Sequence, residues 1–203
     1  MSANGTSSAN VLEEVPRHRH VCPWWIGYLI ANPLRKLAED PETILAPFAG
    51  PGMTAVDIGA AFGFFSLPLA RMIGAGGRVI CVDVQPRMLS SLSRRARRRH
   101  VDHIIRTHLA SQESFGLAHL EGQADLVLAI HVVHETAYPR RFLTQCRDLL
   151  RSGGTFLLAE PSWHVSNEEF ESTRRLAREV GFAEREFRRL RRSRLLVLEK
   201  PRA

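Results

Sequence analysis

The sequence has no apolar run long enough to cross a membrane, and it has few cysteines. No segment approaches the roughly 18 consecutive apolar residues that a transmembrane helix requires. Its three cysteines, Cys22, Cys81 and Cys146, are an odd number at scattered positions, which argues against a disulfide framework and favours reduced thiols. The amino-terminal residues lack the basic and then apolar order of a secretory signal. We therefore expect a soluble protein in the cytoplasm.

Lysine is also scarce, because Lys36 and Lys200 are the only lysines among 28 basic residues. The net charge of +7 therefore comes from arginine, which is concentrated in Arg94–His100 and Arg185–Arg194. We interpret both runs as solvated faces, since each falls where a surface helix or an edge strand is expected. Nucleic acid is not expected as a partner.

Composition and patterning divide the 203 residues into three parts. Residues 1–15 are rich in Ser, Asn, Gly and Ala and predict a disordered leader. Residues 16–51 are aromatic and punctuated by proline, with short helical stretches such as Pro41–Leu45, and predict a helical cap or lid. Residues 52–203 carry the pattern of one packed domain.

That domain alternates short apolar runs with helical segments, which is typical of an α/β fold with a parallel sheet covered by helices. Predicted strands are Thr54–Ile58, Arg78–Val82, Ile104–His108, Leu126–Ile130 and Thr155–Ala159, and predicted helices are Gly63–Ile73, Pro86–His100, Pro139–Leu150 and Asn167–Val180. The last two strands, Ala183–Leu190 and Arg194–Glu199, are joined by a turn too short for a crossover helix. They must therefore pair antiparallel.

A glycine-containing turn follows the first strand and is preceded by a carboxylate. Gly59 is expected to adopt a positive φ and to leave room for a ligand, and Gly63 to let the next helix pack closely on the strand. A ligand would then meet free backbone amides. Asp57 lies two residues before Gly59, where it can hydrogen-bond the amino-acid part of S-adenosylmethionine but would repel a pyrophosphate. Asp83 ends the second strand, in the place where a carboxylate accepts ribose hydroxyls.

With these residues in place, Gly52 to Glu199 resembles the class I S-adenosylmethionine-dependent methyltransferase superfamily. The motif DxGxxxG at Asp57–Gly63 is similar to its first motif, VICVDVQPRML to its second, and ADLVLAIHVVHE to its fourth. The segment CPWWIGYLIANPLRKLAEDPETIL, with GFFSLPLAR, HVVHE and AEPSWHVS, also resembles small bacterial and archaeal methyltransferases. The resemblance implies a Rossmann-like, doubly wound seven-stranded sheet, mostly parallel with a carboxy-terminal antiparallel hairpin and strand order 3-2-1-4-5-7-6.

The same resemblance implies S-adenosyl-L-methionine as cofactor. It places Met88 near the adenine, and the loop around Glu113 and Ser114 at the adenine amino group. Two positions depart from the family pattern: Ala61 replaces a usual glycine and Ser111 a usual acid. The predicted cofactor-binding residues are Asp57, Gly59, Ala60, Ala61, Gly63, Phe64, Asp83, Val84, Met88, Glu113, Ser114, Ile130 and His131.

Candidate catalytic residues follow the fourth and fifth strands, at the sheet edge where ligands bind in open α/β sheets. His134 is the predicted general base, since a free imidazole titrates near neutral pH, with Glu135 as its orienting partner or a substrate contact. His164 follows the fifth strand and is expected to meet His134 across the pocket. The structural alternative for His134 is a histidine that caps the next helix.

Before the main domain, five residues form a predicted cover over the acceptor: His20, Cys22, Trp24, Trp25 and Tyr28. His18, His20 and Cys22 alternate as potential ligands of a soft metal, but structural zinc sites normally use four ligands at other spacings, so no metal site is predicted. Cys22 can instead contact the acceptor, and simple helix packing is a further alternative for the aromatic residues.

The function that these features favour is in-line methyl transfer from S-adenosylmethionine to a small-molecule acceptor. Two alternatives stay open. One is an RNA or protein methyltransferase that uses Arg94 to Arg99 as a phosphate track. The other is a non-catalytic S-adenosylmethionine-binding module, which the departures at Ala61 and Ser111 suggest. Composition does not indicate an oligomeric state.

Overall fold

A seven-stranded sheet with the order β3-β2-β1-β4-β5-β7-β6 organises the chain. The structure is a computed structural model and describes residues 39–202. Its strands are β1 (Thr54–Ile58), β2 (Arg78–Asp83), β3 (Ile105–Leu109), β4 (Ala124–Ile130), β5 (Leu150–Pro161), β6 (Ala183–Arg189) and β7 (Ser193–Glu199). Its α-helices are α1 (Pro41–Leu45), α2 (Ser66–Ile73), α3 (Pro86–Arg98), α4 (Pro139–Leu149) and α5 (Asn167–Glu179). The predicted fold class and strand order are confirmed.

Strands β1 to β5 pair in parallel, and β7 pairs antiparallel with both β5 and β6. The chain therefore reverses its winding direction between β1 and β4, which is the switch point where open sheets of this type bind ligands. No helix of residues 39–202 is long and apolar enough to cross a membrane.

Alternate residues along each strand contribute to two apolar layers, because successive side chains point to opposite faces of a sheet. Val56 and Phe156 belong to the layer covered by α4 and α5. Ala55 and Leu157 belong to the layer covered by α1, α2 and α3. Burial on both faces explains why these strands read as continuous apolar runs.

Helix α1 confirms the helical stretch predicted at Pro41–Leu45. Asp40 caps it, since its side chain accepts a hydrogen bond from the amide of Glu42, and proline occupies the first turn. Ile44 and Leu45 are buried in the second apolar layer. The predictions for residues 1–38, the leader and most of the cap, lie outside the described residues.

Candidate active site

The loops after β1 and β4 pack against each other at the switch point. Gly59 has the predicted positive φ of 75°. A Cβ on Gly59 would lie 2.8 Å from Val132 Cγ2. The side chain of Val132 therefore fills the space on the Cβ side of Gly59, so the glycine lets the two loops pack closely, and its contact with a ligand stays a prediction.

The backbone amides of Gly59, Ala60 and Ala61 in this turn already donate hydrogen bonds to other groups of the protein. Gly59 and Ala60 both donate to the carbonyl of Val82, at 2.9 and 3.0 Å. The amide of Ala61 donates to Asp83 Oδ2 at 2.9 Å. The prediction of free amides is therefore wrong at these three positions.

Gly63 also has a positive φ, at 81°. A Cβ at this position would lie 3.0 Å from Leu92 Cγ and 3.1 Å from Leu67 Cγ. The glycine thus allows the turn to pack on α3 and α2, whereas the prediction was close packing on the strand. Helix α2 begins only at Ser66, after this turn, and not at Gly63 as predicted.

Ala61 occupies the position where the family resemblance implies a glycine, and its φ is 45°. This left-handed conformation costs an alanine about 1 kcal/mol relative to glycine. The chain nevertheless adopts it, since the hydrogen bond from Ala61 to Asp83 closes the turn.

Asp57 is buried at the end of β1, with 3% of its surface exposed. Ser66 Oγ donates a hydrogen bond to Asp57 Oδ2 at 2.5 Å. Burial raises the pKa of Asp57 to about 7, against the hydrogen bond from Ser66, and the nearby charge of Asp83 adds to the rise. The carboxyl therefore lacks the solvation that would keep it ionised at neutral pH.

Asp83 ends β2 and is 8% exposed. Its two oxygens accept hydrogen bonds from the amides of Ala61 and Gln85, at 2.9 and 2.8 Å. Burial raises the pKa of Asp83 despite these bonds and one from Val84. The three amides take three of the roughly four lone-pair sites of this carboxylate, so one site is left to accept a ligand hydroxyl.

The predicted adenine contacts lie in two places. Met88 is buried in the first turn of α3, directly after β2. Glu113 and Ser114 lie exposed in the loop after β3, where Arg141 approaches the carboxylate of Glu113 at 3.4 Å. Ser111, the second departure from the family pattern, accepts a hydrogen bond from the amide of Ser114 at 2.9 Å and so shapes this loop.

Three further predicted cofactor residues lie along the same edge of the sheet. Phe64 is half-buried beside Phe65, with ring centroids 5.2 Å apart in an edge-to-face arrangement. Val84 is half-buried in the link from β2 to α3, and Ile130 is the buried last residue of β4. Their contact with a cofactor stays a prediction.

His131 follows β4 in a left-handed conformation, with φ 62°. Its Nε2 lies 2.7 Å from Ser193 Oγ, and Ser193 donates a hydrogen bond to Glu39 Oε1 at 2.6 Å. The ring of Trp163 contacts the imidazole edge-to-face, with centroids 6.0 Å apart. Sequence reasoning missed Glu39, Ser193 and Trp163, because the first two are 154 positions apart and nothing local links them.

His134 is held by Glu160, not by Glu135. The amide of His134 donates to Glu160 Oε1 at 2.9 Å, and its Nδ1 lies 2.5 Å from Glu160 Oε2. Glu135 Oε1 is 3.9 Å from His134 Nε2, beyond hydrogen-bond distance. The prediction of Glu135 as orienting partner is therefore wrong. A buried glutamate at the end of the apolar run of β5 is the signal that could have identified Glu160.

His164 is exposed in the loop after β5. Its ring contacts that of His134 edge-to-face, with centroids 5.2 Å apart, which confirms the expected meeting of the two histidines. The buried Arg194 holds this loop, since it donates to the carbonyl of Val165 and, at 2.5 Å, to Asn167 Oδ1.

The predicted acceptor cover lies outside residues 39–202, as does the candidate metal motif: His18, His20, Cys22, Trp24, Trp25 and Tyr28. Within residues 39–202, no group of three or more His, Cys, Asp or Glu side chains is arranged to hold a metal ion.

Comparison with known sequences gives a family match and several relatives. A sequence profile described as "Methyltransferase domain" matches residues 56–158. A ubiquinone biosynthesis O-methyltransferase of Cereibacter sphaeroides is 32% identical over 147 residues, which cover 66% of this chain and 57% of the relative. One of the same name from Caulobacter vibrioides is 33% identical over 114 residues, 56% of this chain and 42% of the relative. The chain thus spans about half the length of these relatives.

Solved structures share the fold. A SAM-dependent methyltransferase from Aquifex aeolicus superposes with a TM-score of 0.80 at 17% identity, covering 89% of this chain and all of its own. A SAM-dependent O-methyltransferase from Thermotoga maritima gives 0.64 at 16% identity, covering 81% and 66%. The profile match and the shared fold establish that the chain belongs to the methyltransferase domain family of class I S-adenosylmethionine-dependent methyltransferases, whose methyl donor is S-adenosylmethionine.

Proposed function

We propose that the chain transfers the methyl group of S-adenosylmethionine, in line, to a small-molecule acceptor bound outside the carboxyl ends of β4 and β5. One observation carries the proposal: two buried carboxylates, Asp57 and Asp83, end neighbouring strands beside the turn at the switch point. An open α/β sheet binds its ligand at this place.

The residues fit the cofactor. Burial leaves Asp57 poorly solvated, and no cation of residues 39–202 is among the causes that shift its pKa or that of Asp83. The ammonium group of S-adenosylmethionine would provide the missing opposite charge for Asp57. The remaining lone-pair site of Asp83 suits a ribose hydroxyl. Met88 and Ile130 provide buried apolar contacts on the same edge.

Bound S-adenosylmethionine supplies an electrophilic methyl group on a sulfonium. The chain's own task is then to hold a nucleophile behind that methyl group and to exclude water. His134 is the proposed base for the acceptor proton. His164 contacts the ring of His134, and Glu135 lies 3.9 Å from its Nε2, so both belong to the acceptor side.

The residues that follow β4 and β5, where we place the methyl acceptor, favour a small-molecule acceptor. Trp163, 69% exposed, lies edge-to-face with His131 and next to His164 in the chain, so one aromatic and two imidazole rings follow the carboxyl ends of β4 and β5, where we place the acceptor. The Cereibacter and Caulobacter relatives carry the name of O-methyltransferases of ubiquinone biosynthesis, which agrees with a small acceptor.

The arginines of α3 favour the small acceptor over RNA. The helix starts at the carboxyl edge, after β2, and its 13 residues span about 20 Å towards the start of β3. Arg94, Arg97 and Arg98 are exposed near its far end, away from the site. Arg97 and Arg98 lie in the last turn, where they complement the negative end of the helix dipole.

Titration calorimetry and a methyl-transfer panel test the proposal. We expect S-adenosylmethionine to bind and NADH not to bind. Asp83→Asn should weaken binding about 10- to 100-fold, since it removes a charge-assisted hydrogen bond worth about 1.5–3 kcal/mol. The exposed Asp102→Asn, at the opposite edge of the sheet, is the matched control.

The panel uses radiolabelled methyl donor with catechol, dithiothreitol, arsenite and total RNA. Transfer to one of the small molecules supports the proposal. Binding of the donor without transfer to any of them favours the non-catalytic module, and transfer to RNA alone favours the basic-face alternative. Absence of donor binding overturns the cofactor assignment of Asp57 and Asp83.

A further inference from the structure

We propose that Glu160 is the positioning residue of this enzyme, which holds the proton of His134 on Nδ1 and so makes Nε2 the base for the acceptor. The inference rests on the proposed function, since it names the group that prepares His134 for proton transfer.

Both oxygens of one carboxylate contact one residue. Glu160 Oε1 accepts the backbone amide of His134 at 2.9 Å, and Oε2 lies 2.5 Å from Nδ1 of the same residue. Glu160 is 1% exposed and belongs to β5, the strand next to β4. The two contacts therefore tie the loop after β4 to the end of β5 and leave the imidazole little rotational freedom.

The chemistry of the contact decides the tautomer. An ionised carboxylate only accepts hydrogen bonds, so the nitrogen facing it must carry the proton. Nδ1 faces Glu160 Oε2, and the lone pair of a neutral ring is consequently on Nε2. Glu135 is the carboxylate on the Nε2 side of the ring. A hydrogen bond to Glu135 would hold the proton on Nε2, and that nitrogen could then not accept a proton from the acceptor.

His164 adds to the orientation of the ring. Its edge-to-face contact with His134, at 5.2 Å between centroids, is a favourable arrangement for two flat rings. The imidazole is thus held at Nδ1 by Glu160 and also contacts the ring of His164.

The proton balance of the step follows. The acceptor hydroxyl gives its proton to His134 Nε2, the oxygen forms a bond to the methyl carbon, and the carbon–sulfur bond breaks with its electron pair on sulfur. The products are the methyl ether, S-adenosylhomocysteine and an imidazolium. Its positive charge is stabilised by the buried carboxylate of Glu160 beside Nδ1.

Glu160→Gln distinguishes a role in fixing the tautomer of His134 from a purely structural role, because glutamine has nearly the same size as glutamate. In Glu160 the two donors contact different oxygens, so the single amide oxygen of the variant can replace only one of them. If it pairs with the backbone amide of His134, its NH₂ group faces Nδ1 and forces the ring proton to Nε2. Nitrogen-15 NMR of the labelled protein should show Nδ1–H for neutral His134 in the wild type and Nε2–H in Glu160→Gln.

Glu135→Gln is the matched control, since it alters the carboxylate on the other side of the ring. The tautomer of His134 should not change in this variant. On the acceptor that the panel identifies, kcat of Glu160→Gln should fall by about 10²- to 10⁴-fold, the usual contribution of a general base, with the KM for S-adenosylmethionine unchanged.

An Nε2–H tautomer in the wild type overturns the inference, and that measurement stands even if Glu160→Gln fails to fold. An unchanged kcat in Glu160→Gln also overturns it, because the variant removes the carboxylate charge beside Nδ1 whichever way its amide group is oriented. Calorimetry distinguishes the two proposals. If S-adenosylmethionine binds but wild-type His134 carries its proton on Nε2, only the role of Glu160 is wrong. If S-adenosylmethionine does not bind, the proposed function is wrong.

Discussion

Asp57 shows how a single buried group links stability to pH. Its folded pKa, about 7, lies above the ordinary value of 3.8 because burial disfavours the charge. The stability that its protonated form contributes is fully present below pH ~4 and is lost as the pH rises to about 7. The cofactor-free protein should therefore become less stable across this window.

We expect Asp57→Asn to reduce that loss of stability, since the amide does not ionise. Between pH 5 and pH 8 the difference in unfolding free energy should shrink by on the order of 2–3 kcal/mol. Urea unfolding at the two pH values measures it, with the exposed Asp102→Asn as control. Equal pH dependence in Asp57→Asn and the wild type would show that the carboxyl is better solvated than its burial indicates.

Ala61→Gly should stabilise the chain, because glycine adopts a φ of 45° without the strain of a side chain. The gain is about 0.5–1 kcal/mol, after subtracting the greater flexibility of glycine in the unfolded state. Denaturant unfolding gives the value. Ala60→Gly is the control, because Ala60 does not have the positive φ of Ala61. This variant should lower the free energy of unfolding. A loss of stability in Ala61→Gly would contradict the strain assigned to Ala61.

At the scale of elements, α5 is the helix that follows the loop of Trp163 and His164. Ser166 caps it: Ser166 Oγ accepts the amide of Glu169 at 3.1 Å, and the Glu169 carboxylate accepts the amide of Ser166 at 2.9 Å. This reciprocal pair satisfies two donors that would otherwise lack partners in the first turn. The cap thereby also fixes where the loop ends.

Ser166→Ala should lower the unfolding free energy by about 1 kcal/mol, which is typical for the loss of such a cap. Thermal and urea unfolding both report it. The matched control is Ser90→Ala within α3, where Ser90 Oγ only donates to the carbonyl of Pro86 and alanine is the better helix former. If both variants behave alike, the capping box does not support α5.

Element boundaries show where local patterns are insufficient. The glycines at 153 and 154 predict a turn, but β5 begins at Leu150, directly after α4, and Leu150 pairs with Ala124 of β4. A register shift between Ala124 and Leu126 accommodates the extra residues. Gly153 keeps a positive φ of 73°, so the glycines still bend the chain locally, but the bend is an irregularity within β5 and not the end of the helix-to-strand connection.

For the whole molecule, the sheet carries an apolar layer on each face and is least protected at its edges. β1 and β4 have a strand on both sides and nearly complete burial. β3 and β6 pair on one side only and expose much of their surface. Stability against local opening should therefore be highest in the centre.

Hydrogen exchange with mass spectrometry measures this gradient. After correction for intrinsic rates, amides of β1 and β4 should exchange at least about 10-fold more slowly than those of β3 and β6. The antiparallel β7, paired on both sides, is the internal comparison and should resemble the centre. If the amides of β3 or β6 exchange most slowly, the centre of the sheet is not its most stable part and the prediction is wrong.

By itself, the sequence determined the α/β class, the strands, the antiparallel end of the sheet and the spacing of Asp57, Gly59 and Asp83, because these follow from periodicity and backbone preference along the chain. Only the tertiary structure decided which groups act on one another. Val132 fills the space beside Gly59, and Glu160 holds His134. Such contacts join residues from different strands, and their distances depend on how the sheet assembles, which no local pattern encodes.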